Sequence, residues 1–121
     1  WKVYLSRQSI GDFQIARAGW IGDYIDPKSF LDMMVTGRGN NQTGWSNKEY
    51  DNLLVKASNS TSQQERFNYF YEAEKILIDE MPIIPIYTYT RIYMLHEDVQ
   101  GWGNNILDSR PYQFVYLENK N

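Results

Sequence analysis

The element order written into this sequence predicts an α/β fold: a helix, a strand, three helices and two further strands. Three observations carry that expectation. Apolar residues recur at helical spacing over 47–58 and 63–80, each run opened by a capping signal. β-forming residues concentrate at 83–90 and 112–117. A strand followed by helices and another strand suits a right-handed crossover in a partly parallel sheet.

Trp1 to Gln8 reads as a helix. Asp12 to Gly19 reads as a strand, with Phe13, Ile15 and Arg17 on one face and Gln14, Ala16 and Ala18 on the other. An arginine on the more apolar face is expected to meet a carboxylate or a ligand anion, because a buried guanidinium needs one. Asp26 is a suitable N-cap and Pro27 a suitable first helical residue, opening a helix to about Val35 that buries Phe30, Leu31 and Met34. Thr36 to Gly44 is a polar loop. The next helix starts at Ser46 or Asn47, with Glu49 completing a capping box from Ser46, and its apolar side is Tyr50, Leu53, Leu54 and Ala57. Ser62 and Glu65 form a second capping box at the head of the longest helix, which runs to about Glu80. Its core stripe is Phe70, Ala73 and Leu77, with Phe67 and Met81 nearby, and Pro82 ends it.

Ile83 to Thr90 then reads as a strand with Tyr87, Tyr89, Arg91 and Tyr93 along one face. Pro85 sits near its start, where a missing donor is tolerated. Val99 to Arg110 is loop-like, and Tyr112 to Leu117 is a last short strand.

The 121 residues suffice for one domain with a core, and the net charge of −3 with scattered Lys and Arg argues against a nucleic-acid partner. There is no cysteine, hence no disulfide and no thiolate metal site. No segment approaches the length of a membrane span. The opening Trp1-Lys2-Val3-Tyr4-Leu5, with no initiator Met, carries the expectation of a piece of a longer protein whose targeting signal lies elsewhere. Ten Tyr, five Phe and four Trp are more aromatics than such a core needs, and tyrosine suits a wet ligand groove.

Most catalytic chemistry is argued against. His96 is the only histidine, and no Gly-x-Ser-x-Gly elbow accompanies it, so neither a triad nor a zinc site is built. Gly37-Arg38-Gly39 lacks the Gly-Lys-Ser/Thr of a phosphate loop and reads as a turn. Asp23 with Asp26 resembles a glycosidase pair only on paper, since Asp26 is explained as a helix cap. Asn41-Gln42-Thr43 and Asn59-Ser60-Thr61 match the glycosylation triplet, which is too short to weigh. Trp45 and Trp102 read as packing anchors in loops. Tyr87, Tyr89 and Tyr93 suit either core filling or, with Arg91, a polar groove wall.

Residues 16–27 carry the most specific signal. Arg17, Trp20 and Asp23 place a cation, a large aromatic and a carboxylate within seven residues, at a strand end beside a glycine turn. Such a set suits recognition of a zwitterionic ligand; the alternative is a surface salt bridge beside a core tryptophan.

Arg17-Ala18-Gly19-Trp20-Ile21-Gly22-Asp23-Tyr24, followed by Asp26-Pro27, resembles a signature of bacterial oligopeptide-binding proteins, the family 5 solute-binding components of peptide ABC importers. Further matches follow in order: Asn40-Asn41, Gly44 and Ser46-Asn47 through Tyr50-Asp51 and Leu53-Leu54; Arg66 through Ala73-Glu74; and Met81-Pro82-Ile83-Ile84-Pro85-Ile86-Tyr87. The resemblance covers nearly the whole chain and weakens after about Leu95. It implies a two-lobed, type II periplasmic-binding-protein-like fold with a mixed sheet flanked by helices, closing like a hinge on its ligand. Residues 1–86 would belong to the distal C-terminal lobe and 87–121 to a segment returning toward an N-terminal lobe. The family is not enzymatic, and no cofactor or metal is implied.

Carried over residue by residue, Asp23 matches the acid that pairs with a peptide's α-amino group. Arg17 matches a basic residue facing the groove that meets the carboxylate of short peptides. Trp20 matches the aromatic beside that site, and Tyr89 a tyrosine near the ligand backbone. The implied partners are a peptide and an ABC membrane permease, in the periplasm or at the bacterial cell surface, with membrane attachment only through a lipid anchor outside this chain. The alternative is the same scaffold binding a sugar or other small solute through Trp20 and the tyrosines.

Overall fold

A computed structural model describes residues 1–103, 105 and 109–118. The chain divides into two compact units, Trp1–Pro85 and Ile86–Asn121.

The first unit is helical. Helix α1 spans Lys2–Ser9 and buries none of its residues. Helix α2 spans Lys28–Leu31 and continues as a 3₁₀ turn over Asp32–Met34. Helices α3, Lys48–Asn59, and α4, Gln63–Glu80, form a hairpin that supplies most of the core. From α3 come Tyr50, Leu54 and Ala57; from α4, Phe70, Ala73 and Leu77; Leu31 and Met34 close the cluster. Both stripes follow the helical repeat read from the sequence.

The helix ends are chemically defined. At α3 the cap is Asn47, whose side chain accepts from the backbone N–H groups of Glu49 and Tyr50; Ser46 does not cap. The asparagine sits one residue before the first helical position, where its amide oxygen reaches the orphan donors. At α4 the hydroxyl of Ser62 accepts from the N–H of Glu65, so half of the expected capping box exists. The return bond is absent because the Glu65 carboxylate takes the hydroxyls of Ser60 and Tyr69 instead, while Ser60 accepts from the N–H of Ser62. Helix α4 ends on Met81 in the left-handed region, φ +52°, and Pro82 follows.

Tyr50 is fully buried, edge-on to Trp45 at 5.1 Å, and its hydroxyl donates to the carbonyl of Leu31 at 2.6 Å. Burial, with Asp32, Asp51 and Glu74 nearby, pushes its phenol well above the usual range, so it stays a neutral donor. The ends of the hairpin are joined by Glu80, whose two carboxylate oxygens accept from the Trp45 indole at 2.7 Å and from the Asn47 amide at 2.6 Å. Asn41 organises the preceding loop by donating to the carbonyls of Met34, Val35 and Trp45.

Several expectations are corrected. Asp12–Gly19 is not a strand: Ile15 is 87% exposed and Arg17 is exposed, not held on a buried face. Ile83–Thr90 is not a strand either. Alternating β-formers specify a strand only where a neighbouring segment completes the ladder, and neither stretch has one among the described residues. Phe30, expected in the core, is 50% exposed, because the α2 backbone turns Leu31 inward in its place; Phe67 and Met81 are also exposed.

The second unit contains the sheet. Strands β1, Val99–Gln100, and β2, Tyr116–Leu117, pair antiparallel with Val99 opposite Leu117 and Gln100 opposite Tyr116. The strand expected from Tyr112 is thus shorter, since Tyr112–Phe114 is a 3₁₀ turn. Gly101, at φ +78°, is the residue on which this pairing turns, because a Cβ there would lie 1.8 Å from the carbonyl oxygen of Phe114. Within the same unit Trp102 meets Tyr93 edge-on at 5.7 Å, and the Arg110 guanidinium lies over both rings at 5.0 and 5.1 Å. Trp102 is therefore a packing anchor, as Trp45 is in the first unit. Of the loop read over 99–110, residues 104 and 106–108 lie outside the described residues.

Replacing Tyr50 with Phe keeps the ring and removes the hydroxyl's bond to the Leu31 carbonyl. The expected loss is about 0.5–1.5 kcal/mol of stability, measurable by denaturant unfolding of the two proteins. An unchanged midpoint would show that this bond contributes nothing to stability.

Candidate functional site

The candidate site is built on the segment that leads into α2. Trp20 is half-buried, and its indole N–H donates to the carbonyl of Ser29 at 2.8 Å. Three residues on, the backbone N–H of Asp23 donates to the hydroxyl of Ser29 at 2.7 Å. Ser29 is the one buried polar residue among those described. It thus binds Trp20 through its carbonyl and Asp23 through its side chain, and its own N–H goes to the carbonyl of Asp26. Its burial is matched by hydrogen bonds, as a buried hydroxyl requires. Gly22 lies against the Phe30 ring: a Cβ there would sit 3.0 Å from two ring carbons. The segment is therefore folded back on α2, with the Asp23 carboxylate exposed.

Asp26 closes the segment. One carboxylate oxygen accepts from the N–H of Lys28, the first residue of α2, at 2.9 Å; the helix starts one residue later than expected, so Pro27 and not Asp26 stands at the cap position. The same carboxylate meets the Arg66 guanidinium on α4 through two 2.7 Å contacts, one to each oxygen. Both side chains are mostly shielded, at 26% exposed for Arg66 and 21% for Asp26. The Arg66 hydrogen bond, ahead of the opposing effect of burial and with the help of Lys28, holds the Asp26 carboxyl below the usual range. Arg66 is correspondingly raised. The guanidinium also lies over the Phe70 ring at 4.7 Å. Asp32, further along, is paired with Arg38 at 3.2 Å.

Of the four residues expected at the site, Trp20 and Asp23 share Ser29 as a common partner. Arg17 is exposed, and its backbone carbonyl accepts the Tyr4 hydroxyl. Tyr89 belongs to the second unit, where its ring stands edge-on to Tyr87 at 4.8 Å. His96 is exposed. A shallow apolar groove of about 330 Å³ runs between α2 and α4 beside Phe30, Phe67 and Tyr71, and none of the four residues lines it.

Sequence reasoning missed Ser29 and Arg66. Ser29 gives no signal of its own. Arg66 does: a cation in the first turn of a helix faces the positive end of the macrodipole, and such a residue is expected to have a carboxylate partner elsewhere in the fold.

The turn thus holds an indole and an exposed aspartate together on a helical support. The dipeptide-binding protein DppE of Bacillus subtilis is 43% identical over 101 residues, which is 84% of this chain and 19% of that protein. A protein named as a probable deoxycholate-binding periplasmic protein, YgiS of Escherichia coli, is 34% identical over 96% of this chain and 21% of its own length. Among solved structures, the Escherichia coli murein tripeptide binding protein MppA superposes with a TM-score of 0.85 at 33% identity, over 97% of this chain and 23% of that one. No family model matches the sequence. Over most of its length the chain is similar to a portion of dipeptide- and oligopeptide-binding proteins, the family that its motifs resemble. It spans about a fifth of the length of the curated relatives it matches.

Two expectations follow. Ser29→Ala removes the acceptor for the Asp23 N–H and should cost about 1–2 kcal/mol, read as a lowered unfolding midpoint. The Asp26–Arg66 pair makes stability depend on pH. Its contribution is complete above the ordinary aspartate range and is lost as pH falls through the depressed value of the folded state. Arg66 does not titrate in that window, and Tyr24 beside it titrates only at alkaline pH. Wild type should therefore melt above Asp26→Asn at pH 7, with the gap closing as pH falls below the ordinary aspartate range. A gap independent of pH would mean that the carboxylate charge contributes nothing.

Proposed function

We propose that this chain is the C-terminal portion of an extracytoplasmic solute-binding protein that delivers peptides to an ABC importer, with the peptide's α-amino group held by Asp23. The observation that carries the reading is the placement of Asp23. Its backbone is fixed by Ser29, its carboxylate is exposed, and the indole of Trp20 is tied to the same serine. Similarity to dipeptide- and oligopeptide-binding proteins supports the ligand class.

In this reading the parent protein has two lobes that close on the peptide. The peptide backbone adds to strand edges, so affinity comes mainly from main-chain hydrogen bonds and tolerates many side chains. Asp23 fixes one terminus by a charge-assisted bond, which strengthens as closure excludes water and lowers the local dielectric. Trp20, its N–H already committed to Ser29, offers only its ring face to the ligand. Arg17 meets the carboxylate of short peptides and Tyr89 lies near the ligand backbone. Residues 1–86 form part of the distal lobe and 87–121 return toward the other lobe. The protein binds and releases without chemistry, and the partner transporter supplies the energy. It works in the periplasm or at the cell surface, held to a membrane only by any lipid anchor outside this chain.

A second reading, in which the same scaffold takes a sugar or another small solute on Trp20 and the tyrosines, is favoured by one finding. The YgiS relative is named for deoxycholate, which has no amine.

Isothermal titration of the full-length protein with a free tripeptide and its N-acetylated twin separates the two. For peptide binding through Asp23, acetylation and Asp23→Ala should each weaken affinity by more than about a hundredfold, since breaking a buried pair costs about 3–5 kcal/mol. Equal affinity for the two peptides would remove Asp23 from the site.

A further inference from the structure

We infer that Arg66 is a positioning residue for this site: from helix α4 it holds Asp26, and through Asp26 the turn that carries Asp23, in the place where a ligand ammonium would meet it. This rests on the reading of Asp23 given above.

The argument starts from what the local bonds leave undetermined. Trp20 and Asp23 are fixed to Ser29, nine and six residues away in sequence. Those bonds make residues 20–29 one body, but say nothing of where that body sits on the hairpin. Helix α2 has four residues, far below the length at which a helix persists alone. Its C-terminal side is held by burial of Leu31 and Met34 and by the Tyr50 hydroxyl. On the N-terminal side, three residues from Asp23, the tie to α4 is the fork of Arg66 on Asp26, spanning 40 residues of sequence.

The fork suits the task. Two parallel charge-assisted bonds fix orientation as well as distance, which a lysine ammonium does not. The guanidinium is itself held by stacking on Phe70, a member of the core. The pairing also has an electrostatic result. With Asp26 neutralised by Arg66 and Asp32 by Arg38, the exposed charge of this segment is concentrated on Asp23. A ligand ammonium would then be directed to Asp23 rather than shared among three acids.

A positioning role predicts lost discrimination, not only lost stability. The quantity to read is the ratio of Kd for an N-acetylated tripeptide to Kd for the free tripeptide, by titration of the full-length protein. Arg66→Met should lower that ratio about tenfold, and Arg66→Lys, which keeps the charge without the fork, should fall between. Asp26→Asn keeps an acceptor for the Lys28 N–H but loses the ionic fork and should lower the ratio similarly, so the test survives if Arg66→Met does not fold. Leu54→Ala, which loosens the shared core while leaving the hydrogen bonds of Trp20, Asp23 and Asp26 in place, should melt earlier yet keep the wild-type ratio. A wild-type ratio in the Arg66 and Asp26 variants would overturn the inference, as would an equal loss in Leu54→Ala. Asp23→Ala distinguishes the deeper failure. If it too leaves the ratio unchanged, the amine-binding reading falls and takes this one with it; if it abolishes the ratio while the Arg66 variants do not, only the role of Arg66 is refuted.

Discussion

Tyr50 is buried where α3, α4 and the α2 turn converge, and it donates its hydroxyl to the Leu31 carbonyl. The hairpin alone would be an ordinary amphipathic pair, held by Leu54, Ala57, Phe70, Ala73 and Leu77. What it lacks is any reason to hold a particular third element. A phenol at the centre of the interface supplies one, because a buried donor is costly unless a carbonyl is presented to it. Leu31 presents that carbonyl where α2 passes into the 3₁₀ turn, and a carbonyl oxygen has a second lone pair to offer the phenol. The donor is thereby satisfied at one point, and the C-terminal side of α2 is placed. Trp20 and Asp23, both bonded to Ser29 of that helix, depend in part on that placement.

The helical part of this architecture was legible because its signals are local. A 3.6-residue apolar period and a capping side chain act within one turn of each other, so Tyr50, Leu54 and Ala57, and then Phe70, Ala73 and Leu77, could be named as core from spacing. The choice between Ser46 and Asn47 as cap was finer than the pattern resolves, since both side chains have the right chemistry and only the backbone geometry at 47 decides. The strands at 12–19 and 83–90 failed for the opposite reason. Strand formation is a property of a pair, and the residues of one segment record their preference without recording a partner. Arg17 followed the same error: its expected burial was a consequence of a sheet face that the described residues do not build.

The candidate site was half legible. Arg17, Trp20 and Asp23 were singled out as candidates by their clustering, of which the structure joins Trp20 and Asp23 through Ser29, and Asp26 was singled out as a cap. The residues that support them were not, because Ser29 and Arg66 act through tertiary contacts. Yet helix α4 bears a trace of this at both ends. Arg66 stands near its positive terminus and Glu80 at its negative one, each the wrong sign for the macrodipole. Each is engaged by groups outside the helix: Arg66 by Asp26, Glu80 by the indole of Trp45 and the amide of Asn47. A helix that tolerates adverse charges at both termini is one whose ends are fastening points, and that reading was available from the sequence.

If Asp23 receives a ligand ammonium as proposed, these fastenings account for how an exposed carboxylate can be specific. An aspartate on a mobile loop binds an ammonium weakly, because ordering the loop offsets much of the Coulomb gain. Here the ordering is done before any ligand arrives. Ser29 fixes the Asp23 backbone, Arg66 fixes the turn to α4, and Asn41 and Glu80 fix the loops that frame α3. The apolar core contributes rigidity rather than recognition, and the polar contacts around it aim a small number of groups outward. In the proposed reading the residue that meets the ligand need have no structural role of its own, and Asp23, exposed and with its backbone bound, fits that description.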